Sequence, residues 1–197
     1  MKKSILIISA AVACAVACGF GACSCKKSGN STRYENLNNM LNANYSEINL
    51  TVTNTFDEST FLTSEYIINY YESAITVEYT VERFSSLSID DPSIGYKYVL
   101  SGEAYIENGE VTGGEEVGIN ATFANPKFNF KEQYFVNAVL EDVYFQADVK
   151  NAAAFLGYDI SCTDMKIYAV WLNGRYSTIR INYAQNGVEV EYRYVFS

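Results

Sequence analysis

Ile75, Val77, Tyr79 and Val81 alternate with Thr76, Glu78, Thr80 and Glu82, so one apolar and one polar face run two residues out of phase. A period of two marks a half-buried strand. Ile48, Leu50 and Val52 oppose Asn49, Thr51 and Thr53 in the same way. Residues 61–71 and 96–107, rich in Tyr, Ile and Val, complete four predicted strands in the first half of the chain. Asn108-Gly109 follows the fourth and predicts a tight hairpin, because both central residues of a type I′ turn need positive φ. Asn173-Gly174 and Asn186-Gly187 punctuate the C-terminus alike. Residues 164–172, 175–184 and 187–196 therefore read as a three-stranded antiparallel meander. Asp90-Asp91-Pro92-Ser93 reads as a turn.

Helical spacing is confined to short stretches. Thr32-Arg33-Tyr34-Glu35 fits a capping box with Thr32 as N-cap, and Leu37, Met40 and Leu41 continue it, predicting a helix over 33–44. Tyr134, Phe135, Ala138 and Val139 predict a second helix, and Asp148 to Leu156 a short one ending at Gly157. Between them Val143, Phe145 and Ala147 alternate as a strand would. In the 113–127 stretch, Val117, Ile119, Ala121 and Phe123 alternate before Asn125-Pro126. The sum predicts one α+β domain over 33–197: an opening helix, four strands, a late helical insertion and the closing meander.

The first residues follow another pattern. Lys2 and Lys3 precede an uncharged apolar run from Ile5 to Ala22, and Cys14, Cys18, Cys23 and Cys25 cluster near its end. A basic start, an apolar middle and small residues before a cut describe a bacterial secretory signal. Ala11-Val12-Ala13 before Cys14, Ala15-Val16-Ala17 before Cys18 and Phe20-Gly21-Ala22 before Cys23 resemble the lipobox of bacterial lipoproteins. That family carries a leucine-like residue three positions before the cysteine, where this chain has Ala11, Ala15 or Phe20. The resemblance implies that a cysteine becomes the lipidated N-terminus. Cys23 leaves no apolar stub and is the expected site, with Cys18 as the alternative. Residues 1–22 are then a signal peptide and 23–32 a tether. The competing reading is an uncleaved anchor, since 5–22 touches the lower edge of a spanning helix. Either places the domain outside the cytoplasm, held at a membrane through its N-terminus.

Composition narrows the chemistry. Without Lys2 and Lys3, 12 basic residues face 23 acidic ones, a net charge of −11, which argues against nucleic acid as partner. The chain has no histidine, so His-dependent triads, Cys–His dyads and His-ligated metal sites are excluded. Beyond the N-terminal cluster the lone cysteine is Cys162, read as a small buried apolar residue, with a bridge to Cys25 or a reactive thiol as the alternatives. Glu189 and Glu191 lie roughly 6.5–7 Å apart on one strand face, but that face is the polar one. No GxSxG, SxxK, phosphate loop or calcium loop is present. No catalytic, cofactor-binding or metal residue is assigned, and the protein is expected not to be an enzyme.

Aromatics are the remaining signal: 17 Tyr and 11 Phe, many on predicted strands. The order of elements behind a lipoprotein-type signal is similar to that of the LolA/LolB-like envelope lipid carriers. That resemblance implies a strongly curved antiparallel half-barrel around an apolar cavity, bordered by Ile48, Leu50, Val52, Val77, Tyr79, Val81, Ile179, Ile181 and Tyr183. The same residues would form the filled core of a sheet without a cavity. The expected function is a non-enzymatic binding module for an apolar or amphipathic ligand. The alternative is a structural or adhesive lipoprotein whose tyrosine-rich face meets a protein or glycan.

Overall fold

Ten strands pair into one open, entirely antiparallel sheet in the order β5-β4-β3-β2-β1-β10-β9-β8-β7-β6. The computed structural model describes residues 30–56, 59–86, 95–120 and 123–197. Cys18, Cys23, Cys25, most of the tether, the Asp90–Ser93 turn and Ala121 lie outside the described residues. Along the chain come α1 (Asn30–Leu41), β1 (Glu47–Phe56), β2 (Ser59–Tyr70), β3 (Ala74–Ser86), β4 (Gly95–Glu107) and β5 (Glu110–Thr112). They are followed by β6 (Phe135–Leu140), β7 (Tyr144–Val149), α2 (Ala152–Leu156), β8 (Thr163–Leu172), β9 (Arg175–Gln185) and β10 (Val188–Phe196).

Every ladder but one joins neighbours in sequence. The exception is β1 with β10, where Ile48, Leu50 and Val52 face Phe196, Tyr194 and Tyr192. That order puts β5 at one edge and β6 at the other, so residues 113–134 must cross the sheet from edge to edge. The crossing runs over the apolar face and supplies its cover: Val117, Ile119, Ala124, Phe128 and Phe130 are all buried. The three Asn-Gly dipeptides sit where tight turns require them. Asn108, Asn173 and Asn186 have φ of 52, 53 and 53°, each followed by a glycine at positive φ.

Phe130 is the centre of the core. Its ring lies 5.5 to 6.3 Å from those of Phe135, Phe145, Phe155 and Tyr176, edge-on to Phe145 and Phe155. α1 closes the cluster with Tyr34, Leu37 and Met40, spaced by three and therefore on one helical face. Asn38, one residue from that face, fixes the helix to the crossing. Its Nδ2 donates to the Phe130 carbonyl at 2.9 Å, and its Oδ1 accepts the Phe130 N–H at 2.8 Å. Both backbone groups of the central residue are thus satisfied by one side chain.

Three sequence expectations are corrected. Helix α1 already includes Asn30 and Ser31, so Thr32 lies within it and is not the N-cap, and it stops at Leu41. The helix expected around Tyr134–Val139 is one 3-10 turn (Glu132–Tyr134) and then edge strand β6. A bulge explains the misreading: Asn137 sits at φ 52°, and the register against β7 shifts between Val136 and Val139. The extra residue brings both Phe135 and Leu140 opposite inward positions and hides the two-residue period. The late helical insertion reduces to α2, capped by the Asn151 side chain accepting the Ala154 N–H at 3.0 Å and ended by Gly157. The described part of 113–127 has a 3-10 turn at Glu115–Val117 and no strand, because it is the crossing. Among the described residues, no helix is long and apolar enough to cross a membrane.

Removing the central ring should be costly. Phe130→Ala is expected to lose about 3–5 kcal/mol in urea unfolding. Asn38→Ala, which strands two part-buried backbone groups, should lose about 2 kcal/mol. A loss below 1 kcal/mol for Phe130→Ala would contradict the assigned centre.

Candidate functional site

The inner faces of β10 and β9 carry a run of tyrosines next to β1. Tyr194 faces Leu50 on one side and Ile179 on the other, Tyr192 faces Val52 and Ile181, and Tyr183 faces Val190. The rings of Tyr183 and Tyr192 lie 6.1 Å apart at 20°, and those of Tyr192 and Tyr194 6.5 Å apart at 17°. Side chains two apart on a strand point the same way, so this row follows directly from the alternation.

The crossing passes over this row without filling it. A cleft of about 560 Å³ remains, floored by Leu50, Ile181, Tyr183, Tyr192 and Tyr194. Its other wall is Asn120, Phe123 and Asn125 to Phe128 on the crossing, with Leu156, Gly157 and Tyr158 at the end of α2. Tyrosines on the sheet hold that wall in place. The Tyr70 hydroxyl donates to the Ala124 carbonyl, and the Tyr79 hydroxyl donates to the Glu116 carboxylate. Phe123 packs on Tyr66 at 4.9 Å, and Phe128 packs edge-on against Tyr194 at 5.4 Å. The Asn129 N–H bonds to the Phe155 carbonyl at 2.8 Å, tying the crossing to α2.

The cleft is electrically quiet. Burial raises the hydroxyl pKa of Tyr183, Tyr194 and Tyr158 above the ordinary phenol value, and Tyr192 beside them adds to it. All stay neutral near pH 7 and serve as hydrogen-bonding groups. Lys127, exposed on the crossing, is the one charged residue in the lining among the described residues. Such a site suits an apolar body with a small polar end. Among the described residues it holds no paired carboxylates and no activated nucleophile.

Of the nine residues expected to border a cavity, Leu50, Ile181 and Tyr183 line the cleft. Ile48, Val77, Tyr79, Val81 and Ile179 are buried in the filled core, and Val52 is half-buried against it. Tyr192 and Tyr194 were legible from their alternation with Glu191 and Arg193, but the wall residues carry no periodic signal. Glu191 is on the outer face, 3.7 Å from Arg180 and hydrogen-bonded by Asn182, and Glu189 is exposed. Cys162 is a free thiol, half-buried, and desolvation raises its pKa. Among the described residues, no group of three or more Cys, Asp or Glu is placed to hold a metal. A depression of about 550 Å³ on the opposite face is walled by Glu65, Glu78, Glu103 and hydroxyl side chains, and floored by sheet backbone. No protein-family model matches the chain, and no curated protein matches it significantly.

The Tyr70 hydroxyl gives this wall a pH signature. Burial pushes its pKa from 10.0 up to about 12. The folded state therefore holds the proton more tightly than the unfolded chain. Its contribution is complete below pH 10 and is lost as pH rises towards 12. The stability difference between the unaltered chain and Tyr70→Phe should shrink across that window in urea titrations. A constant difference would contradict the buried donor.

Proposed function

We propose that this protein is a bacterial lipoprotein, anchored through Cys23 or alternatively Cys18, whose outward-facing domain binds an apolar or amphipathic ligand without enzymatic action. The observation that carries this reading is the cleft of about 560 Å³, with its aromatic floor and neutral hydroxyls. Ligand sites run at ~300–1,000 Å³ and are mostly apolar with a few polar groups. The finer architecture belongs to the same proposal. The sheet is a curved half-barrel of the LolA/LolB-like kind, with the crossing in place of a helical lid. The ligand's apolar body lies along Tyr183, Tyr192 and Tyr194, and its polar end meets Tyr158 and Lys127 at the mouth. The acidic domain, net −11 without residues 1–22, keeps nucleic acid away.

A fluorescent fatty acid tests this. The full chain in detergent should bind one probe per chain, saturably. Asn125→Trp, an indole placed across the mouth, should weaken binding at least tenfold, while Tyr168→Ala on the outer face should leave it unchanged. Saturable binding indifferent to Asn125→Trp would remove the cleft from the reading. No saturable binding would remove the apolar ligand and leave the tyrosine-rich face as the contact surface.

A further inference from the structure

We infer that the outer face of the sheet carries a second binding site, over β7 and β8, for an acidic saccharide. The inference is independent of the cleft, which lies on the other face. A depression of about 370 Å³ is walled by Asn137, Gln146, Asp148, Lys166, Tyr168 and Asn182 and floored by Ala147 and Ile167. The two floor residues are buried with their side chains in the core, so the floor itself is strand backbone. The volume falls within the ~300–1,000 Å³ of ligand sites, near its low end.

Two bulges flank the depression. Asn137 on β6 and Asp164 on β8 have φ of 52 and 54°, and the registers against β7 and β9 slip at those residues. A bulge twists its strand and re-aims the side chain it carries. Asn137 is thereby set beside Asp148, to whose carboxylate its Nδ2 donates at 2.7 Å. Lys166 stands directly opposite Asp148, yet among the described residues it forms no ion pair.

The groups in the lining match a sugar. A hydroxyl both donates and accepts, so neighbouring hydroxyls on one ring need donors and acceptors side by side. Gln146 offers both from one amide. Asn137 and Asn182 donate to Asp148 and Glu191 and keep their amide oxygens as acceptors. Tyr168, 41 % exposed, supplies a flat apolar surface for the C–H face of the ring, braced by Tyr144 at 6.1 Å.

Charge sets the class of sugar. Lys166 is in the lining, Arg180 stands directly opposite Tyr168, and Arg193 directly opposite Arg180. Like charges directly opposite one another are destabilising, and an anion beside them relieves this. Of the acids nearby, Asp148 is bonded to Asn137, Glu191 pairs with Arg180 at 3.7 Å, and Asp164 lies outside the lining. Elsewhere on this face Glu65, Glu78 and Glu103 surround the other depression and repel an anion. A carboxylate on the sugar is therefore drawn to Lys166, where it accepts a charge-assisted hydrogen bond.

Calorimetry of the full chain, in a detergent without sugar head groups, against di- to tetrasaccharides of glucuronate, galacturonate or mannuronate tests this. At least one should bind saturably, one per chain, and its carboxyl-reduced form about tenfold more weakly. Lys166→Gln should weaken the acidic form about tenfold and leave the reduced form unchanged, which a loss of folding would not do. Tyr168→Ala should weaken both forms. Asn125→Trp, which blocks the cleft, should change neither, so the two sites are tested separately. No saturable binding, equal binding of the acidic and reduced forms, or binding indifferent to Lys166→Gln or to Tyr168→Ala would each overturn the inference.

Discussion

The crossing from β5 to β6 is the constraint on which this fold depends. A sheet of ten strands with one apolar face is unstable until that face is covered, and the two α-helices among the described residues, of twelve and five residues, cannot cover it. The strand order solves the problem by placing consecutive strands β5 and β6 at opposite edges. Residues 113–134 have no path between them except across the sheet, and they bring Val117, Ile119, Phe128 and Phe130 with them. Each fully buried side chain of that size contributes about 1.5–3 kcal/mol. Asn38 then converts the middle of an irregular segment into a fixed point, by giving the Phe130 backbone both of its hydrogen bonds.

The cleft follows from the same geometry. An irregular crossing cannot interlock with a pleated surface everywhere, and it stays close where a sheet side chain reaches up to hold it. Tyr70 and Tyr79 hold the stretch around Ala124 and Glu116, and Phe130 is locked by α1. Between these fixed points the crossing stands off from Tyr183 and Tyr192, and the open cleft remains. Tyrosines of the inner sheet face do three jobs by position: Tyr70 and Tyr79 hydrogen-bond the crossing, while Tyr183, Tyr192 and Tyr194 stack on one another and line the cleft.

Much of the sheet is legible from residue order, because its information is local. Ile75 to Glu82 alternates without interruption, and each Asn-Gly pair provides the positive φ of a tight turn. What escaped is non-local or irregular. The bulge at Asn137 shifted Phe135 and Leu140 out of phase and imitated a helix. The β1–β10 ladder joins strands far apart in sequence and leaves no mark in either strand alone. Six of the nine expected lining residues share the cleft's sheet face but lie under cover elsewhere. Alternation says which residues point inward, and only the path of the crossing says which of those remain uncovered.

Native mass spectrometry of the full chain, isolated gently from its own cells and followed by organic extraction, tests the central claim most directly. A ligand-binding cleft predicts a stoichiometric adduct of lipid-like mass, released by the solvent and absent from Asn125→Trp prepared identically. A clean mass for the unaltered chain that stays unchanged after incubation with lipid extract would contradict it.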